Sequence, residues 1–235
     1  MKSLNITASK KQFNLAKKTI PLASQTFSKS CKLFDKNFFP LFAKKGHKQH
    51  IEDLDGNKYV DFINGLGAVS IGYSIREFDK KIIKSIKKGV TFSLAHKIEH
   101  EVSKELIKII PSAEMVRFGK NGTDANSAAI RLARFYTKKD HIGVCGYHGW
   151  QDWYITSTSM NGGIPKDTNK YTHNLEFNNL DSIKKIFNKY KLAAVIIEPL
   201  AAQLPNKNFL IALKNACKKN NTLLIFDEIC TGFRV

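Results

Sequence analysis

Val116-Arg117-Phe118-Gly119-Lys120-Asn121-Gly122-Thr123-Asp124-Ala125-Asn126 runs directly into Ser127-Ala-Ala-Ile-Arg-Leu-Ala-Arg134. A short apolar run breaks at a glycine-containing turn. Apolar positions at Ala125, Ala129, Leu132, Ala133 and Tyr136 then recur at helical spacing, so the stretch reads as strand, turn and helix. Asn121, Gly122 and Thr123 are small and polar, which lets a ligand approach the backbone. The first amides of a helix lack internal partners and sit at the positive end of its dipole, an arrangement that suits an oxyanion such as phosphate. The same residues would also serve as an ordinary helix cap, with Asn121 or Thr123 at the N-cap. The turn lacks both the Gly-Lys-Ser/Thr of a P-loop and the Gly-x-Gly-x-x-Gly of a dinucleotide fold. A phosphate held here would therefore belong to another cofactor.

Working downstream, apolar runs at Met115–Phe118, 141–145, 192–197 and 222–226 alternate with helical stretches at Thr123–Thr137, 180–190 and 208–219. That alternation predicts an α/β fold with a mostly parallel sheet. The last two runs are continuously apolar, as in strands covered by helices on both faces. Ligands of such sheets gather beyond the carboxyl ends of the strands. Asn121-Gly122-Thr123, Tyr147-His148-Gly149-Trp150, Glu198-Pro199 and Asp227-Glu228 all fall there. Asp227 ends the run Leu223–Phe226, and a carboxylate at a buried strand end needs a partner. It could face a protonated cofactor ring, cap a helix or bind a metal. Tyr147 and Trp150 could stack on a flat cofactor or pack in the core.

Upstream, His50 to Phe62 alternates around Asp55-Gly56-Asn57 and predicts a β-hairpin. The preceding forty or so residues read as a lysine-rich arm with a short helix. Phe78, Ile82, Ile83 and Ile86 define a helix that stops at Gly89, and a second runs from about His96 to Ile110. His96-Lys-Ile-Glu99-His100 matches the H-x-x-E-H zinc pattern. However, Lys97 and Glu101 mark that helix start as solvated, so no metal site is expected.

The 235 residues carry a formal charge of +18. The excess is lysine spread over amphipathic helices, with five arginines in all and no arginine cluster or aromatic platform of the kind that binds nucleic acid. The four cysteines form no Cys-x-x-Cys and read as reduced thiols of a cytoplasmic protein. No run approaches the roughly 18 apolar residues of a membrane span.

Four blocks carry a resemblance. Leu54-Asp-Gly-Asn-Lys-Tyr-Val-Asp-Phe-Ile-Asn-Gly-Leu-Gly67, Arg117-Phe-Gly-Lys-Asn-Gly-Thr-Asp-Ala125, Gly146-Tyr-His-Gly149 and Ile225-Phe-Asp-Glu-Ile-Cys-Thr-Gly-Phe-Arg-Val235 are similar, in order, to those of the class III, fold-type I aminotransferases that use pyridoxal 5′-phosphate. Glutamate-1-semialdehyde 2,1-aminomutase is the branch they most resemble. The resemblance implies transfer of an amino group between a small-molecule amino donor and a keto or aldehyde acceptor, or an aminomutase reaction, in a homodimer with shared active sites. It implies that Asn121, Gly122 and Thr123 hold the cofactor phosphate, that Tyr147 stacks on the ring beside His148, and that Asp227 pairs with the ring nitrogen. Glu198 falls in the family's Glu-Pro block, and Gln203 aligns near the cofactor's phenolic oxygen. Leu22–Ser28 aligns with a segment lining the substrate site. Asn121 and Asp124 stand where serine and glutamate are usual, and Trp150 where the aminomutases carry histidine.

By the same resemblance, residues 1–65 would be an arm and hairpin belonging to a small domain, and 66–235 an incomplete large domain. The family's Schiff-base lysine is expected beyond Val235. On that expectation no catalytic residue lies in this chain, which would be an inactive N-terminal fragment.

Overall fold

The computed structural model describes residues 4–35, 39–40, 42–200 and 203–234. They form two compact units, Met1–His96 and Lys97–Val235.

The first unit holds helix α1 (Thr7–Ala16), strands β1 (Ala43–His47), β2 (His50–Asp53) and β3 (Lys58–Val60), and helix α2 (Arg76–Ile86). The strands form an antiparallel sheet in the order β1-β2-β3. β2 and β3 are the hairpin expected around Asp55-Gly56-Asn57. β1 adds a third strand that its Ala-Lys-Lys-Gly-His sequence does not announce. The hairpin turn is organised by Asp53, whose buried carboxylate accepts the backbone N–H groups of Asp55 (2.9 Å) and Asn57 (2.8 Å), the Asn57 amide (2.8 Å) and the Tyr59 hydroxyl (3.0 Å). Asp55 in turn accepts the N–H groups of Ala8 (2.6 Å) and Ser9 (2.8 Å) in the first turn of α1. It supplies from 46 residues away what the apolar N-cap residue Ile6 cannot, while Asn5 accepts the Thr7 N–H locally at 3.1 Å.

The second unit is the α/β layer structure. Helices α3 (Lys97–Ile109), α4 (Gly122–Thr137), α5 (Asp152–Ile155), α6 (Leu180–Lys189) and α7 (Lys207–Lys219) accompany strands β4 (His141–Cys145), β5 (Thr172–Asn174), β6 (Leu192–Ile197) and β7 (Leu223–Phe226). The sheet is wholly parallel, in the order β5-β4-β6-β7. β6 is central, and all six of its residues are buried. Val195 and Ile197 pack with Ile183 and Ile186 of α6 and with Phe209, Leu213 and Cys217 of α7. Ala194 and Ile196 face the other way, toward Ile130 and Ala133 of α4 and Tyr154 of α5. A helix-covered layer on each face is why β6 reads as an unbroken apolar run.

Two sequence expectations change. Met115–Phe118 forms no strand: it lies between α3 and α4 outside the sheet, with Met115 exposed. An apolar run becomes a strand only where a neighbour accepts its backbone hydrogen bonds, and among the described residues none lies alongside. β7, expected to be covered on both faces, is an edge strand with half-buried or exposed residues. At the N-terminal end of α3, Lys97 pairs with Glu101 at 3.0 Å across an exposed turn. Val235, the last residue of the fourth block, lies outside the described residues.

Candidate active site

Three turns of the second unit converge at the carboxyl ends of the strands. The first precedes α4. Asn121 is extended, and its side chain accepts the Asp124 N–H at 3.0 Å, capping the helix. The residue expected to touch phosphate is thus also the N-cap, and the two readings of the turn are compatible. The second turn follows β4. Gly149 has φ +102, and a Cβ there would collide with the Thr123 hydroxyl, so only glycine lets this turn close on the start of α4. The third follows β7, where Ile229 packs so closely on Gly122 that a Cβ at 122 would lie 2.7 Å from its side chain.

Ser127, one turn into α4, fastens the second turn. Its hydroxyl bonds to the Thr123 carbonyl at 2.8 Å and to the Gln151 side chain, and it accepts the Trp153 indole N–H at 2.9 Å. Gly146, at φ +109, packs against Glu198, whose carboxylate accepts the Tyr147 N–H at 2.7 Å. The Tyr154 hydroxyl donates to the Gly146 carbonyl at 2.7 Å.

At the centre of these turns is Asp227, directly after β7 and 5% exposed. Its N–H donates to the Ile197 carbonyl at 2.8 Å. One carboxylate oxygen, Oδ2, meets His148 Nδ1 at 2.8 Å and accepts the Asn126 amide N–H at 2.7 Å. The other, Oδ1, accepts the Ile229 N–H at 3.2 Å. Burial pushes the acid's pKa up, but the hydrogen bonds from His148, Ile229 and Asn126 outweigh it and hold the group below the ordinary carboxylate range. An ionised Asp227 can only accept, so His148 donates through Nδ1. His148 is itself buried, with Tyr154 edge-on at 5.2 Å, and its Nε2 has no hydrogen-bond partner among the described residues. The protein therefore keeps a negative charge at a strand end with one side of Oδ1 still able to accept.

The structure thus brings Gly122, Thr123, His148 and Asp227 together, with Asn121 at the rim. Tyr147 is 61% exposed as a residue, with its ring edge-on to Tyr154 at 5.8 Å. Glu198 is engaged in holding the Tyr147 backbone. Gln203 is exposed and sits beside residues 201–202, which are not among those described. The sequence reading missed Asn126, Ser127, Gln151 and Trp153. One signal was available, since Asn126 is a poor helix former inside an alanine-rich helix, and such a residue warrants a search for the group it serves. Among the described residues, no group of three or more His, Cys, Asp or Glu is placed to hold a metal.

A family profile described as aminotransferase class-III matches residues 34–234. The glutamate-1-semialdehyde 2,1-aminomutase of Wigglesworthia glossinidia brevipalpis is 41% identical over 216 residues, covering 83% of this chain and 49% of that protein. The 3-aminobutyryl-CoA aminotransferase of Cloacimonas acidaminovorans is 39% identical over 205 residues, with the same coverage. Among solved structures, the pyridoxal-phosphate internal-aldimine form of the FumI protein of Sphingopyxis sp. MTA144 superposes with a TM-score of 0.90 at 25% identity, over 97% of this chain and 56% of that one. The chain spans about half the length of the curated relatives it matches.

Proposed function

The chain belongs to the class-III aminotransferase family, and from that premise we propose that it carries the cofactor grip of a pyridoxal 5′-phosphate-dependent aminotransferase. The reaction moves an amino group from a small-molecule amino donor to a keto or aldehyde acceptor. The observation that carries the reading is Asp227, a buried carboxylate kept ionised by His148 and Asn126 in the same network of turns as the start of α4. The donor set fits the cofactor at both ends. The 121–123 turn, exposed at Asn121 and half-buried at Gly122 and Thr123, offers backbone amides at a helix N-terminus for phosphate, and Asp227 offers a fixed negative charge for a protonated ring nitrogen.

When bound, pyridoxal phosphate supplies an electron sink for bond breaking at the amino-bearing carbon. The chain's own residues bind and orient. Asp227 keeps the ring nitrogen protonated through an ion pair in a site that screens it poorly. His148 and Asn126 hold that carboxylate, and the exposed Tyr147 is available to cover one face of the cofactor. Glu198 keeps Tyr147 in register by gripping its backbone N–H. Gln203 we assign to the cofactor's phenolic oxygen on family resemblance.

A second reading, aminomutase chemistry on glutamate 1-semialdehyde, is supported by the 41% identity to an enzyme of that name. Trp150, in place of a histidine usual in that branch, favours the transaminase. We further infer a cytoplasmic homodimer and a family domain boundary near residue 65. No helix among the described residues is long and apolar enough to cross a membrane.

The test titrates the purified protein with pyridoxal phosphate and with pyridoxamine 5′-phosphate, following absorbance and tyrosine fluorescence. Saturable binding that Asp227→Ala weakens by about 100-fold is expected, the scale of a lost desolvated ion pair. No binding by the wild-type chain would overturn the reading. Product analysis with amino donors and acceptors, and with glutamate 1-semialdehyde, separates the two reactions.

A further inference from the structure

Asn126 performs no task in α4 that alanine would not perform better. An asparagine inside a helix is less favourable than alanine by roughly half a kcal/mol, and a buried amide has to be satisfied. It is 7% exposed, and its Nδ2 lies 2.7 Å from Asp227 Oδ2, across 101 residues of sequence. The His148 carbonyl is at the outer limit of reach, 3.5 Å away. The amide orientation is set by this neighbour, since the flipped form would press its oxygen on a carboxylate.

An ionised carboxylate accepts about two hydrogen bonds per oxygen. Asp227 Oδ2 has both, one from α4 and one from the turn after β4, while Oδ1 has the Ile229 N–H alone. Carboxylate torsions are broad and soft, so with one donor on Oδ2 the group would be held only by that bond and the longer 3.2 Å bond from the Ile229 N–H to Oδ1. Two donors from separate elements fix it. We propose that Asn126 is a positioning residue for Asp227: with His148 it saturates Oδ2 and reserves the open side of Oδ1 for the ring N–H of a bound pyridoxal phosphate. This rests on the cofactor reading above. It goes further in assigning a role to a helix residue and in naming the carboxylate oxygen that meets the ring.

The groups facing Asp227 are His148 and Tyr154. The Tyr154 phenol is pushed up to about 12, first by burial, so it stays protonated while Asp227 titrates. The Asp227 carboxyl can thus be followed by carbon-13 NMR in the aspartate-labelled chain without cofactor. Asn126→Leu fills the same space without a donor, and Asn126→Ser keeps a smaller hydroxyl donor should leucine not be accommodated. Leucine is expected to raise the Asp227 midpoint by about one pH unit, the shift of one lost hydrogen bond to a carboxylate, and serine by less. The leucine variant should also bind pyridoxamine 5′-phosphate about tenfold more weakly, with serine between. A purely packing role would move neither the midpoint nor the affinity, and wild-type values in both variants would overturn the role of Asn126 alone. A wild-type chain that binds no pyridoxamine 5′-phosphate would overturn the cofactor reading and the role of Oδ1 with it.

Discussion

Asp53 and Asp227 are both nearly buried carboxylates, one in each compact unit, and each accepts at least three hydrogen bonds. They are assembled from opposite materials. Every partner of Asp53 lies within six residues of it, so a single β-turn brings the whole set together. The two side-chain partners of Asp227 lie 79 and 101 residues away, and only the folded sheet can deliver them. A carboxylate satisfied by its own turn is a structural pin, since its donors exist before the fold does. A carboxylate satisfied from distant elements is a placed charge, and one of its oxygens retains capacity for something else.

The largest effect that would sharpen this contrast comes from Asp227→Ala. It leaves the Asn126 amide and the His148 Nδ1–H in the core without an acceptor, at about 2–4 kcal/mol for the two orphaned donors. Urea unfolding read by hydrogen exchange should show the loss in residues 97–234. The reverse outcome, a wild-type midpoint, would mean that the pair is not buried in solution.

Asp53→Ala should cost less, about 1–2 kcal/mol. Its backbone donors, Asp55 and Asn57, sit half-buried beside the exposed Gly56, where water can partly replace the carboxylate, and mainly the half-buried Tyr59 hydroxyl suffers. The same variant has an optical signature. The Tyr59 phenol is pushed up to about 12, first by burial and then by Asp53 as hydrogen-bond partner and charge. Removing the aspartate should bring it back toward the ordinary 10.0 in an absorbance titration. Loss at Asp53 equal to that at Asp227 would erase the difference between pin and placed charge.

The same contrast decides what could be read in advance. The hairpin was legible because Asp55-Gly56-Asn57 carries its turn chemistry locally. β6 and the helices α4, α6 and α7 were legible because burial imposes its period on the sequence. β1 and β5 were not, as Ala-Lys-Lys-Gly-His and Thr-His-Asn have no apolar alternation and become strands only through their neighbours. Met115–Phe118 failed for the complementary reason, being apolar without a neighbour. Within the site, Asp227 announced itself as an acid ending an apolar run, and Tyr147-His148-Gly149-Trp150 as a cluster beyond a strand end. Asn126 could not be assigned to it from sequence, because nothing near residue 126 indicates a carboxylate at residue 227.

Acid should act on the placed charge as well. Asp227 has a folded-state pKa below its unfolded value near 3.8. The stability it contributes is therefore fully present above about pH 4 and is lost as pH falls through the lower folded value. Hydrogen-exchange protection at 196–197 and 227–229 should decline in that window for the wild type. In Asp227→Ala the decline should be smaller, since the titrating group is gone. An identical acid profile in the two proteins would assign the loss to other carboxylates of the second unit.

The smallest effect falls at the rim, where a local device and a long-range site share one residue. Asn121 caps α4 through Asp124, as Asp53 pins its own turn, yet it stands in the turn assigned to phosphate. Asn121→Ala should cost about 1 kcal/mol, whereas Asn121→Gly should cost only a few tenths, because glycine is itself tolerated at the N-cap. The glycine variant therefore separates capping from ligand binding. If the side chain of Asn121 serves only the helix, Asn121→Gly leaves pyridoxamine 5′-phosphate affinity unchanged, and the phosphate is held by backbone amides that glycine still provides. If affinity falls several-fold while urea stability moves by tenths, the amide reaches the phosphate itself. Asn121 then joins Asp227 as a residue whose value lies outside its own turn.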